Sequence, residues 1–272
     1  MKLIFVAHFS VVADEEDQLK IITAMDFTLE ICTDNVESAV VAMNAGAHRI
    51  ELCDNLTEGG TTPSFGMVTS ARENLGIKLH VMIRPRGGDF LYSDTEFDIM
   101  RRDIDIFGEA GVDGIVTGIL RADGTIDTER TQKLAEMAKP MTLTFNRAFD
   151  LCDDPVRGLE EIISAGATRL LTSGHKNTAW EGRELIRKLI KVAGQRIIIM
   201  PGAGINESNI RELAAVTGAE EFHLTARSSV ASLMSFRRVE VRMGGSPELS
   251  EYLRKSADHQ KIAKIISLLK MI

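Results

Sequence analysis

The chain has 272 residues, 44% of them hydrophobic and 26% charged, with a formal net charge of −7. That mixture excludes a disordered or fibrous chain, and the absence of a dominant basic face argues against a nucleic-acid binder. No apolar run approaches the roughly 18 residues of a membrane span, and three cysteines in a chain this long suit a reducing cytosol better than a disulfide framework.

Residues 1–24 are expected to be an extension peripheral to the fold. Lys2 followed by Leu3 to Val12 bears a faint likeness to a signal peptide, but His8 and Ser10 interrupt its apolar stretch. Met25 stands just before the first strand pattern. From there to residue 272 the chain reads as one domain. Eight short segments rich in β-branched or alternating residues predict strands at 27–32, 48–53, 78–83, 114–118, 141–146, 169–173, 197–200 and 221–226. Helical patterns lie between them. Val36, Ala39, Val40 and Met43 share one face, as do Val156, Leu159, Ile162 and Ile163. Thr62-Pro63 and Asp154-Pro155 each predict an N-cap followed by proline at the first helical position. From Pro247 onward, Leu249, Tyr252 and Leu253, then Ile262, Ile265, Ile266 and Leu269, predict terminal helices.

A weak internal repeat runs through this pattern. Gly46, Gly111, Gly166 and Gly218 each end a helical segment just ahead of a strand. Their intervals each accommodate two strand–helix units, giving eight units in all. Eight alternating units predict an α/β fold of the (β/α)8 or TIM barrel class. A doubly wound open sheet is the alternative, although no G-x-G-x-x-G follows the first strand.

Strand parity then sorts the side chains. Phe27, Leu29 and Ile31 fall on one face of the first strand, and Thr28, Glu30 and Cys32 on the other. The same alternation opposes Ile50 and Leu52 to Arg49, Glu51 and Cys53, Leu79 and Val81 to His80, Met82 and Arg84, and Phe222 and Leu224 to Glu221, His223, Thr225 and Arg227. The apolar set must lie beneath the helices, so the polar set is left to the bore. Charges there must pair or meet solvent. Either they form a structural ion-pair network or they line a polar pocket at the C-terminal ends of the strands, where barrels place their sites.

Several groups carry candidate chemistry. Cys32 and Cys53 end neighbouring strands on the same face, where two thiolates suit a soft ion such as Cu(I), with Met82 nearby; the alternative is two small buried core cysteines. Glu30, Glu51 and His223 are candidate proton-transfer residues. Arg84, with Arg86, Gly87, Gly88 and Asp89, forms a loop suited to an anion. Gly202 and Gly204 after the seventh strand, and Arg227 after the eighth, stand where barrel phosphate sites usually lie. Thr172 to His175 would add donors. His48 and His80 read as structural.

Six runs carry a family resemblance: Arg49-Ile-Glu-Leu-Cys53, Glu58-Gly-Gly-Thr-Thr-Pro-Ser64, Val81-Met-Ile-Arg-Pro-Arg-Gly-Gly-Asp-Phe90, Asn146-Arg-Ala-Phe-Asp150, Leu171-Thr-Ser-Gly174 and Glu221-Phe-His223. Together they resemble the CutC family over about Asp26 to Arg227. The resemblance implies a cytoplasmic, oligomeric (β/α)8 barrel, a homodimer or homotetramer, with a role in copper homeostasis. It also implies Cu(I) binding at two strand-end cysteines, which match Cys32 and Cys53. Two departures stand out. Asn146 occupies a position where the family usually has histidine, and Gly202-Ala-Gly204 stands where Gly-Gly-Gly is usual. Two functions are therefore expected: a copper homeostasis protein, or an enzyme acting on a small anionic or phosphorylated metabolite through Arg84, Gly202, Gly204 and Arg227. Neither expectation includes nucleic acid or membrane as a partner.

Overall fold

The computed structural model describes residues 27–243 and 250–272. The peripheral extension expected at 1–24 lies outside the described residues, as do Pro247 and Leu249. Eight parallel strands form the central sheet: β1 (Thr28–Thr33), β2 (Arg49–Leu52), β3 (Lys78–Met82), β4 (Gly114–Thr117), β5 (Thr142–Phe145), β6 (Arg169–Thr172), β7 (Ile198–Pro201) and β8 (Glu221–Leu224). Seven helices connect them in turn: α1 (Val36–Asn44), α2 (Phe65–Asn74), α3 (Asp94–Glu109), α4 (Thr128–Ala138), α5 (Pro155–Ser164), α6 (Arg183–Ala193) and α7 (Ile210–Thr217).

The sheet curls on itself. β8 pairs with β1, placing His223 opposite Glu30. A parallel bridge joins Gly202, one residue past β7, to His223. That closure selects the (β/α)8 barrel over the open doubly wound sheet. The helix-end glycines behave as predicted: Gly46, Gly111, Gly166 and Gly218 have φ of 98°, 74°, 87° and 72°, in the left-handed region that glycine enters without a Cβ penalty.

The predicted boundaries need four corrections. Thr62 does not cap α2. Its hydroxyl accepts from the amide of Arg84 at 2.9 Å, and its own amide donates to the Arg84 carbonyl, so it is tied across to the end of β3. Ser64 caps instead, accepting from the Met67 amide. Asp154 with Pro155 does open α5 as expected. The eighth strand stops at Leu224, because Ala226 turns left-handed with φ of 43°. The chain then leaves as β9 (Arg227–Ala231), which pairs antiparallel with β10 (Leu253–Ala257). Tyr252 and Leu253 are therefore not helical. A single terminal helix, α8 (His259–Leu269), begins only where Asp258 caps the amides of Gln260 and Lys261.

α8 packs between α7 and α1 and completes the ring of eight helices. The β9–β10 hairpin is thus an insertion in the loop after β8, at the mouth of the barrel. Ser38 on α1 anchors it by accepting from the Ala257 amide at 3.1 Å. In the connection between β9 and β10, Leu233, Phe236 and Met243 are exposed, as are Arg237, Arg238 and Arg242. Among the described residues no helix is long and apolar enough to cross a membrane.

Parity holds throughout. Leu29, Ile31, Ile50, Leu52, Leu79, Val81 and Phe222 join the core beneath the helices, while Glu30, Arg49, Glu51, His80 and Arg169 are buried in the bore. Space in the bore is tight. A Cβ on Gly114 would lie 2.6 Å from His80 Nε2 and 2.7 Å from Thr142 Oγ1, so only glycine lets β4 pass the buried imidazole. Gly114→Ala is therefore expected to destabilise the fold by about 1–3 kcal/mol in denaturant unfolding. An unchanged midpoint would mean that His80 has room to move away.

Candidate metal centre and barrel-mouth cavity

The bore is charged at its base and sulfur-bearing at its mouth. At the base, Arg49 on β2 is ion-paired through Nε to Glu30 on β1 and through Nη2 to Glu221 on β8, the latter at 2.6 Å. Arg169 on β6 donates to both carboxylate oxygens of Glu221, at 2.6 and 3.0 Å. Four charged side chains from four strands are thus neutralised across the barrel axis. Burial pushes the Glu30 carboxyl up, but Arg49 and His223 outweigh it and hold it well below the usual carboxylate range. Burial likewise opposes ionisation of Glu221, and Arg169 and Arg49 overcome it to lower its pKa.

One layer up, His223 donates from Nδ1 to Glu30 Oε1 at 2.7 Å, with Nε2 3.7 Å from Glu51 Oε2. Burial works against charge on this ring. The Glu51 charge, the Cys32 sulfur and the Glu30 carboxylate outweigh burial and hold its pKa well above the ordinary histidine value. His80 differs: burial pushes it down to about 4, leaving it neutral. Burial raises Glu51, and the nearby Glu30 charge adds to the rise, while His223 opposes it.

At the mouth the Cys32 and Cys53 sulfurs lie 3.7 Å apart. Cys53 Sγ also donates to Glu51 Oε2 at 3.4 Å. Both thiols are buried among Met82, Val116 and Leu56. Cys32 is held protonated by its sulfur neighbour, by burial and by the Glu51 charge. The Cys32 sulfur favours a Cys53 thiolate, but burial and Glu51 prevail and push Cys53 up to about 12. The ligand atoms of Cys32, Glu51 and Cys53 all lie within 4.8 Å of one another. Gly60, with φ of 92°, lets the loop after β2 lie directly over Cys53, where a Cβ would come within 3.1 Å of the sulfur. A donor set of two adjacent buried thiols and a carboxylate, with a thioether alongside, fits a soft monovalent ion.

Above this group opens a cavity of about 520 Å³, walled in part by Cys32, Glu51, Met82, Arg84, Gly204 and Arg227. Glu30, Glu51, His223, Cys32 and Cys53, singled out from sequence, are brought together in the bore beneath it. Arg84 reaches the wall, but its terminal nitrogens are spent on the carbonyls of Glu58, Gly60 and Gly88, and it stacks 4.8 Å over Phe90. Asp89 takes no part. Its side chain is 68% exposed and pairs with Arg86. Gly202 serves barrel closure: its amide donates to Thr172, and a Cβ there would strike Leu171 at 2.5 Å.

The donors expected after β6 are also taken. The amides of Ser173 and His175, with the hydroxyls of Thr172 and Ser173, all donate to Asp150. Arg147 joins this cluster through Asp150 at 2.8 Å and Ser173 Oγ at 2.8 Å, and both Arg147 and Asp150 wall the cavity. Sequence reasoning missed this pair as site residues. Its signal was an arginine and an aspartate three residues apart immediately after the fifth strand. Cys152 lies buried 3.6 Å from the half-buried His175.

The CutC family model matches residues 27–228. The chain belongs to the CutC family. A human copper homeostasis protein cutC homolog is 46% identical over 249 residues, covering 92% of this chain and 91% of the relative. A CutC family protein of Chromobacterium violaceum is 50% identical over 238 residues, covering 88% and 96%. Among solved structures, the CutC protein of Streptococcus agalactiae superposes with a TM-score of 0.70 at 37% identity, over 73% of this chain and 98% of that one. Thiamine phosphate pyrophosphorylase from Pyrococcus furiosus shares the barrel, with a TM-score of 0.57 at 15% identity over 91% and 98% of the chains; that likeness concerns the fold alone. In this CutC family member Asn146 uses its carboxamide locally: Oδ1 accepts from the Ala148 amide, and Nδ2 lies 3.8 Å from Met82 Sδ.

The ion pairs at the base make a specific prediction. Glu221→Gln leaves Arg169 without a carboxylate and Arg49 with one, and should cost about 3–5 kcal/mol of stability. Because the folded pKa of Glu221 is lowered, the deficit should persist above the unfolded carboxylate value of about 4.3. It should close as the pH falls through the folded value. Equilibrium unfolding across pH 3–7 checks both, and a difference that does not depend on pH would contradict the assignment.

Proposed function

We propose that this CutC family protein binds Cu(I) through Cys32 and Cys53 at the mouth of the barrel and acts in copper homeostasis. The observation that carries this reading is the pair of free, buried thiols 3.7 Å apart. Soft thiolates select Cu(I). Cys32 faces the cavity, so an arriving ion meets it first, with Cys53 behind it. Glu51 and Met82 flank the pair and would tune it from the side. The copper homeostasis name of the human relative supports the same reading. Three unpaired cysteines favour a reducing compartment, and the cytosol fits them.

Titration of the reduced protein with Cu(I) against a competing chelator tests the proposal. A Cys32→Ser/Cys53→Ser double variant should lose affinity by more than the roughly 100-fold upper range seen when groups outside the ligand shell are removed. Glu51→Gln should weaken binding by about 10- to 100-fold. Unaltered affinity in the double variant would sink the proposal.

A further inference from the structure

The cavity over the thiols is much larger than one metal ion needs. Its volume of about 520 Å³ falls in the range of organic-ligand sites, roughly 300–1,000 Å³. Two buried polar atoms in its wall have no hydrogen-bond partner among the described residues: Oε1 of Glu51 and Nε of Arg84. Glu51 is 2% exposed and Arg84 5%. Leaving such groups unpaired is unfavourable, so they mark positions where a ligand atom would bond.

Around the ends of β7 and β8 the chemistry favours an anion. Arg227 lines the cavity with its side chain a quarter exposed, and its Nη1 donates to Asp34 Oδ2 at 3.4 Å. Beside it the loop after β7 turns left-handed at two successive residues, Ala203 with φ of 76° and Gly204 with φ of 70°. Such a turn directs neighbouring backbone amides to one side, as in anion-binding nests. The Gly202–His223 bridge brings this loop next to the end of β8, where Arg227 follows.

We propose that the cavity binds a small phosphorylated polyhydroxyl metabolite, with its phosphate between Arg227 and the Ala203–Gly204 backbone and a hydroxyl donating to Oε1 of Glu51. This goes beyond metal binding and uses residues other than the two thiols. Glycerol 3-phosphate and ribose 5-phosphate are both small enough for a cavity of about 520 Å³ and are suitable probes.

The experiment uses the full chain, reduced and free of metal. Calorimetry and thermal unfolding are measured with glycerol 3-phosphate and ribose 5-phosphate, and with glycerol, ribose and inorganic phosphate alone. A phosphorylated probe should bind and raise the Tm, its unphosphorylated parent should not, and inorganic phosphate should bind more weakly. Arg227→Met should weaken that binding at least about tenfold, the size expected for losing charge-assisted hydrogen bonds. Arg237→Met, on the exposed arm, should leave it unchanged. Failure of both phosphorylated probes to bind would overturn the proposal. So would equal binding of their parent alcohols, or an Arg227→Met variant that binds as tightly as the parent protein.

Discussion

Arg49 lies at the centre of the barrel, and the arrangement of the mouth depends on its two ion pairs. It joins Glu30 on β1 to Glu221 on β8, across the seam where the sheet closes. A lone charge buried there would cost several kcal/mol. Paired, the charges make the base of the bore a fixed, neutralised layer in place of the branched aliphatic side chains that usually fill a barrel. Glu30 then has one oxygen left to fix His223. His223 in turn places its Nε2 3.7 Å from Glu51, which sits beside both thiols. Each group is oriented by the one below it.

This layering explains why the barrel carries a soft, sulfur-bearing mouth on an ionic base. The apolar face of every strand is committed to the helices, so functional side chains can only project inward or from the loops at the C-terminal ends. Cys32 and Cys53 lie at the last inward positions before those loops begin. Above them the loops enclose the cavity: the segment after β2 covers Cys53, and Arg84 secures that segment by binding its carbonyls. The hairpin inserted after β8 carries Arg227 to the rim, at the point where the chain leaves the barrel.

Much of this was legible in the sequence, for physical reasons. Period-two alternation in 27–32, 48–53 and 221–226 separated bore from core correctly, because a residue cannot change faces without moving the whole strand. The helix-end glycines gave the repeat because only glycine ends a helix there without strain. What the sequence did not reveal depends on partners distant in the chain. Thr62 resembles a cap until Arg84 claims its hydroxyl. Tyr252 and Leu253 resemble the start of a helix until β9 supplies hydrogen bonds from more than twenty residues away. The amides of Ser173 and His175 resemble free donors until Asp150 takes them. Asp89 resembles a site residue until Arg86, three residues before it, turns it outward. Local pattern assigned the strands and their faces, whereas the fate of each polar group was settled by tertiary pairing.

If the two strand-end thiols form the metal site, the atoms around bound copper must reveal it. Copper K-edge X-ray absorption on protein loaded anaerobically with one equivalent of Cu(I) reads those atoms without reference to affinity. Sulfur should dominate the atoms bound to the copper. A shell made of nitrogen and oxygen alone would contradict it.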